Sequence, residues 1–441
     1  MLIEEACVPD SKTTSKPRKS EHLLMTTLLA VGDIHLGRLP AGLPGSLAAR
    51  RRDLGPEAAW NRAVTEAVNR RVDAVLLAGD VVERSRDFFV AYGDLKAGVE
   101  RLAKAEIPVL AVAGNHDTHV LPRLAAEIDS LELLGAGGQW QARKIDQVTV
   151  LGWSFPQIQV RSSPVPSLPQ LDDSQFRIGL LHCDRDQSDS PYAPVTSAEL
   201  ADAPVDAWLL GHIHRPDALS GDRPIGYLGS ISALRASETG DRGPWLIDIN
   251  DRRIRCRQLV LAPLRYEHMP VDVSDIEAVG DCANLISSAA RQQLQALAEL
   301  ESPPLAVGLR VVLTGRSSQA KAFPDMAEQL MVEATVWQEA GIDCFLDRIQ
   351  VEVEPFANLD KLAIQTDPAG LLARRLLLLR GPQGPERQAL IDHHRPQLAQ
   401  LAEAREFALL EREIDDQAVA KALEQAALVA LSRLLAQREL R

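Results

Sequence analysis

The sequence predicts an α/β layered domain, followed by a smaller α+β unit and a helical C-terminal region. Three observations predict it. From Thr26 to about Ala262, short β-type apolar runs alternate with helical patterns. Those runs are apolar at consecutive rather than alternate positions and end in Gly plus polar residues, which marks strands buried on both faces. The pattern changes after LAPLRYEHMP, and from about residue 357 the chain becomes rich in Leu, Ala, Gln and Glu. In parallel layered sheets, ligands bind at the carboxyl ends of the strands.

Taken in order, LLAVGD (28–33) reads as the first strand, and a helix is expected around 56–70. AVLLAGD (74–80) is the second strand, a helix near 88–105 follows, and VLAVAGN (109–115) is the third strand. TVLGWS, RIGLLHC and AWLLGHI continue the series, and WLIDINDRRIRCRQLVL reads as a hairpin turning at Asn250-Asp251. Beyond it, a helix around 275–299, a strand near 307–314, a helix near 325–339 and a strand near 344–353 make up the smaller unit. In that last strand Ile349, Val351 and Val353 alternate with Gln350 and Glu352, so one face should meet water. Asp367-Pro368 has the form of a helix cap with a first-turn proline. Val419, Leu423, Ala427, Ala430 and Leu434 form an apolar stripe at helical spacing.

At 441 residues the chain exceeds one ordinary core. We divide it into a disordered leader (1–24), an α/β domain (25–262), an α+β domain (263–356) and a helical region (357–441). The net charge of −13 argues against a surface coated in phosphate-binding charge, yet it leaves room for a local basic surface. Five scattered cysteines with no C-x-x-C pair suit a reducing cytoplasm, without a disulfide frame or a thiolate zinc site. KPRKS before HLLMTTLLAV imitates a signal peptide, but that apolar run leads directly into the Gly32-Asp33 end of the first strand. Met25 is therefore an alternative start. No stretch approaches the ~20 apolar residues of a membrane span.

The strand ends share one chemistry. The first ends in GDIHLG, offering Asp33 and His35, and the second in GDVVER, offering Asp80. The third ends in GNHD, with Asn115, His116 and Asp117; a later one ends in LLHCD, with His182; another ends in LLGHIH, with His212 and His214. Buried charges cost several kcal/mol unless they are paired or bound to metal. Five strand ends carrying acids, imidazoles and an amide call for a shared partner, and divalent metal is the economical one. In D-x-H and H-x-H, residues two apart on an extended segment point the same way and can reach one ion. Oxygen and imidazole ligands without thiolate suit Mn²⁺, Fe²⁺ or Zn²⁺. Seven ligands exceed what one ion with an open position needs, and two ions about 3.5–4 Å apart would use them all.

In that order, D-x-H, G-D, G-N-H-D, a lone H and G-H-x-H resemble the calcineurin-like metallophosphoesterase superfamily over about 25–235. The resemblance implies two β-sheets flanked by helices. It implies that Asp33, His35 and His214 hold one ion, that Asn115, His182 and His212 hold a second, and that Asp80 bridges them. It further implies that His116 assists the leaving oxygen, with Asp117 either orienting that imidazole or capping the next helix. GDVVERS is similar to the GDxVDRG of protein phosphatases, but GNHD stands where those enzymes carry GNHE. The stretch from LLHCD to GHIHRP, with YLGSISALRASETGDRGPWLIDI, resembles the nuclease subunits of bacterial SbcC–SbcD-type DNA repair complexes.

That resemblance implies a cytoplasmic, Mn²⁺-dependent DNA exonuclease or endonuclease whose residues 263–356 form a capping domain. It also implies a coiled-coil ATPase partner of SbcC type docked on the C-terminal helices. The stripe at 419–434 suits that partner, packing on its own domain, or a homodimer. Arg38, Arg50, Arg51, Arg52, Arg84, Arg86, Arg185 and Arg215 lie in the motif loops, where they are expected to meet phosphates or to balance an acidic site. Two rival readings remain: a small-molecule phosphodiesterase or nucleotidase with the same metals, and a partner-binding scaffold with a residual metal site.

Overall fold

A computed structural model describes residues 25–84, 87–170, 175–250, 252–274, 276, 278–317, 319–355, 359–402 and 415–439. The expected leader and Arg86 lie outside them. The chain forms two compact units: residues up to Arg265 together with Leu300–Ala306, and Tyr266–Glu299 together with the chain from Val307 onward.

In the first unit, β1 (Thr26–Val31), β2 (Ala74–Ala78), β3 (Val109–Val112) and β4 (Leu131–Leu133) pair in parallel. The hairpin of β10 (Trp245–Asn250) and β11 (Arg253–Gln258) adds antiparallel to β1, giving the order β11-β10-β1-β2-β3-β4. A second sheet runs β5 (Trp140–Ile145), β6 (Val148–Trp153), β7 (Phe176–His182), β8 (Ala207–Gly211) and β9 (Ile225–Tyr227). Only its β5–β6 pair is antiparallel.

The consecutive apolar residues of each strand divide between two cores, because side chains alternate faces. Leu28 and Ala30 of β1 join Leu76, Val112, Ile178, Leu180 and Leu209 in the layer between the sheets. Leu29 and Val31 instead face α1 (Pro56–Arg70), α2 (Phe88–Lys104) and α3 (Leu121–Glu127), packing with Trp60, Val99 and Leu124. On the far side, Leu181, Trp208 and Leu210 pack with Leu200 of α4 (Ser197–Asp202), whose N-terminus carries a Thr196/Glu199 capping box. The result is four layers, helix–sheet–sheet–helix.

The second unit holds an antiparallel sheet made mainly of β12 (Leu264–Asp272), β13 (Ala306–Thr314), β15 (Trp337–Glu339) and β16 (Ile342–Val351), in the order β12-β13-β16-β15. A short parallel pair joins β14 (Arg316–Ser317) to β17 (Glu354–Pro355). The helix expected around 275–299 is α5 (Cys282–Ala298), which starts later, after a 3₁₀ turn at Val279–Asp281. The helix expected near 325–339 is α6 (Phe323–Glu333). Its expected last turn is instead edge strand β15, where Trp337 to Glu339 pair with Cys344 to Ile342.

The C-terminal helices are α7 (Leu359–Ala363), α8 (Pro368–Arg380), α9 (Pro385–Ala402) and α10 (Asp416–Glu439). Asp367 caps α8 by accepting the Gly370 N–H at 2.8 Å. The stripe on α10 is taken up inside this unit: Val419 is fully buried with Leu379 and Ile391, and Ala427 packs beside Leu376. Burying a stripe on neighbouring helices satisfies the same hydrophobic demand that a partner would, so helical spacing alone does not imply docking.

Candidate metal centre

Every expected metal ligand lies at the carboxyl end of a strand, on the segments following β1, β2, β3 and β8 and on the last residue of β7. Strands of both sheets therefore feed one cluster. Ligand atoms of Asp33, His35 and His214 lie within 4.8 Å of one another, as do those of Asp80, His182 and His212. Asn115 Oδ1 is 3.0 Å from His182 Nε2. Asp80 Oδ2 stands between the groups, 3.4 Å from His182 Nε2 and 4.0 Å from His35 Nε2. Asp33 Oδ1 accepts the His212 N–H at 3.0 Å, tying the groups together.

The backbone is bent to achieve this. Asp33, His35, Asp80 and His212 all have positive φ, the last at 108°. Such conformations cost a non-glycine residue about 1–3 kcal/mol each and persist where surrounding structure enforces them. The preceding glycines make room. A Cβ on Gly79, itself at φ 86°, would lie 2.6 Å from His182 Nδ1. One on Gly114 would overlap the Asp80 carboxylate.

Asp33, His35, Asp80 and His182 are almost wholly buried. Outer partners fix which ring nitrogen of each imidazole carries the proton, because carbonyl and carboxylate oxygens only accept. His182 Nδ1 donates to the Ala78 carbonyl at 3.0 Å, and His214 Nδ1 to Glu238 Oε1 at 2.8 Å. His116 Nδ1 donates to the Glu83 carbonyl at 3.0 Å. His35 Nδ1 is 2.9 Å from Glu83 Oε2, a close approach whose N–H direction is not aligned on the oxygen. His212 Nε2 faces Asp184 Oδ1 at 3.5 Å, and Tyr192 lies against its ring.

The bare nitrogens then meet head-on. His35 Nε2 is 3.0 Å from His214 Nε2, and His182 Nε2 is 3.3 Å from His212 Nδ1. Two lone pairs at that distance, ringed by carboxylates, require positive charge between them. The donor set fits divalent cations.

The electrostatics agree. Burial alone would depress the His35 imidazole, but Glu83, Asp80 and Asp33 raise it above the ordinary histidine value. Against its own burial, Glu83 is drawn down to about 2 by His35 and Arg38. His182, His35 and His116 hold Asp80 low despite burial. Burial and then the Asp80 charge push Asp117 up to about 7.

Asp117 departs from both expectations. Its carboxylate neither touches the His116 ring nor caps α3. It accepts the N–H groups of Val81 at 2.6 Å and Gly114 at 2.8 Å, clamping the GDVV and GNHD loops together. Arg185 also departs from its expected phosphate role: it pairs with Asp217 at 2.9 Å and lies over the Tyr227 ring. Arg84 and Arg215 remain exposed beside the cluster, whereas Arg38 is tied to Glu83 and Arg52 to Asp94. His119 is an exposed loop residue, and Cys183 is a buried thiol that burial pushes well above its ordinary range. The sequence reading missed Glu83, Glu238 and Asp184. Glu83 and Asp184 had a signal, being acidic residues within the GDVVER and LLHCD motifs themselves.

A two-sheet sandwich that delivers acids, imidazoles and an amide to the strand ends of both sheets is the arrangement of the calcineurin-like phosphoesterases. Residues 26–216 match the family model described as calcineurin-like phosphoesterase, and the chain carries a domain of that metallophosphoesterase family. Residues 266–354 match a second model, described as the middle domain of metallophosphoesterase YhaO. The chain is 26% identical over 359 residues to the "uncharacterized metallophosphoesterase YhaO" of Bacillus subtilis, covering 76% of this chain and 84% of that one. Two archaeal proteins named "DNA double-strand break repair protein Mre11" are also similar. The Haloferax volcanii protein is 29% identical over 266 residues and the Halobacterium salinarum protein 32% over 232, covering 58% and 50% of this chain. The matches span 56% and 55% of those relatives, so this chain corresponds to about half of their length. Among the described residues, no helix is long and apolar enough to cross a membrane.

Proposed function

We propose that the chain is a two-cation phosphodiesterase acting on DNA, a nuclease of the SbcD/Mre11 type, with Mn²⁺ as its working ion. The observation that carries the hydrolase reading is the inward-facing donor set: two imidazole pairs in lone-pair contact around Asp33 and Asp80. Asp33, His35 and His214 would hold one cation and Asn115, His182 and His212 the other, with Asp80 shared. Bound divalent cations supply charge that stabilises a phosphoryl centre and lower the pKa of water.

The chain's own residues supply the rest. His116 is exposed at the cluster, with Nδ1 committed to the Glu83 carbonyl and Nε2 free to face the leaving oxygen. Asp117 holds the loop that carries it. Support for DNA comes from the similarity to the Mre11 proteins and from Arg84 and Arg215, two exposed guanidiniums flanking the cluster. We extend the reading to a coiled-coil ATPase partner. With the α10 stripe buried, Ile364, Leu371 and Val429 are the exposed apolar residues left on the C-terminal helices to meet it. Unpaired Cys183, Cys256, Cys282 and Cys344 are consistent with a reducing cytoplasm.

The test is incubation of the purified chain with linear duplex DNA and Mn²⁺, with and without such an ATPase. Cleavage that chelation abolishes is expected. Turnover of a chromogenic phosphodiester with no DNA cleavage under either condition would replace DNA by a small-molecule substrate. His116→Ala should keep its cations and lose turnover; loss of cations in that variant would overturn the role given to His116.

A further inference from the structure

We propose that Glu83 is a positioning residue that holds the centre open to cations by fixing the tautomers of two imidazoles. The inference rests on the two-cation reading above and adds the residue that makes the site receptive.

Glu83 follows Asp80 by three residues, and its side chain is nearly buried. Its backbone N–H donates to the Leu36 carbonyl at 3.1 Å, fastening the β2 loop to the β1 loop. From there it engages two motifs at once. Its carboxylate Oε2 approaches His35 Nδ1 at 2.9 Å and accepts from Arg38 Nη1 at 3.3 Å. Its main-chain carbonyl accepts from His116 Nδ1 at 3.0 Å.

The consequence concerns the far side of the His35 ring. A neutral imidazole carries one N–H. If that proton sat on Nε2, it would bond to His214 Nε2, 3.0 Å away, and the site would close on itself without any cation. His214 cannot supply the proton to such a bond, because its own Nδ1–H is committed to Glu238. Glu83 is what draws the His35 proton to Nδ1. It thereby leaves Nε2 bare and forbids the internal hydrogen bond. Removing the carboxylate lets the proton move across the ring, and a cation must then displace it.

The experiment compares the wild type, Glu83→Ala and Glu83→Gln in the full chain. Mn²⁺ binding is followed by titration calorimetry without substrate, and the histidine tautomers of cation-free protein by long-range ¹H–¹⁵N spectra. The spectra are taken at about pH 8, above the ordinary imidazole range. Glu83→Ala should bind Mn²⁺ about 10–100-fold more weakly, the usual effect of losing an outer-shell partner, and should show His35 protonated at Nε2. Glu83→Gln keeps an acceptor oxygen facing Nδ1 and should retain both the tautomer and most of the affinity. Wild-type affinity in a folded Glu83→Ala variant, or a Glu83→Gln variant as weak as Glu83→Ala, would overturn the proposal. A wild type that binds no cation would overturn the centre itself. Failure to cleave DNA while these binding results hold would touch only the substrate.

Discussion

Replacing Gly114 by alanine probes the centre with one methyl group. The backbone at Gly114 is not left-handed, so alanine adds no conformational strain, and its effect comes from the neighbours of the new carbon. An ideal Cβ there lies 2.8 Å from the Asp80 backbone nitrogen and 2.9 Å from Asp80 Cγ, and overlaps Oδ1. Since Asp80 leaves β2 in a left-handed conformation against packed strands, its backbone has little freedom to shift. Its carboxylate must yield instead. Reaching an ordinary contact of 3.4 Å requires Cγ to retreat by at least about 0.5 Å. That motion also pulls Oδ1 from the His116 N–H, which it accepts at 3.0 Å.

Overpacking a filled interior costs about 1–3 kcal/mol. Displacing a shared ligand should weaken Mn²⁺ binding by at least the roughly 10–100-fold typical of outer-shell losses. Thermal melting of cation-free protein and titration calorimetry measure the two effects separately. Gly93→Ala is the matched control. It lies within α2 with nothing near its Cβ position, so it should stabilise by about 0.5–1 kcal/mol and leave cation binding unchanged. A Gly114→Ala variant with wild-type affinity and melting temperature would refute the claim that this glycine exists to admit the Asp80 carboxylate.

Asp117→Ala should leave the buried N–H groups of Val81 and Gly114 unpaired, at about 1–3 kcal/mol each, and unfold the chain at markedly lower temperature; an unchanged melt would remove the clamp assigned to it. In a DNA-binding assay across salt concentrations, Arg84→Ala and Arg215→Ala should each reduce the logarithmic salt slope by about 1. Arg185→Ala should lower the melting temperature through loss of its Asp217 and Tyr227 contacts and leave that slope alone, and the reverse pattern would contradict the division of roles.

What the sequence determined by itself is local. Leu28 to Val31, Ala74 to Ala78 and Val109 to Val112 are apolar at every position, and only a strand covered on both faces uses such a run. The acids and imidazoles after each run named the chemistry, because burial is intolerable for them without a common counter-charge. Elements of low pattern contrast were less legible. Trp337 to Glu339 carry a helical pattern onward from α6 yet pair as an edge strand, since three residues are too few for a period to register.

Tertiary structure decided everything that depends on residues far apart in the chain. The strand ends come from two sheets, and their convergence depends on how Leu76 and Val112 pack against Ile178 and Leu209. Glu83 and Glu238 become partners of His35 and His214 only through loops that meet in space. Arg185 turns away because Asp217 and Tyr227 happen to lie beside it, and the α10 stripe is spent on α8 and α9. Residue type and spacing fix which groups need a partner. Which partner each one finds is set by long-range packing, and that information is not carried by any short stretch of the chain.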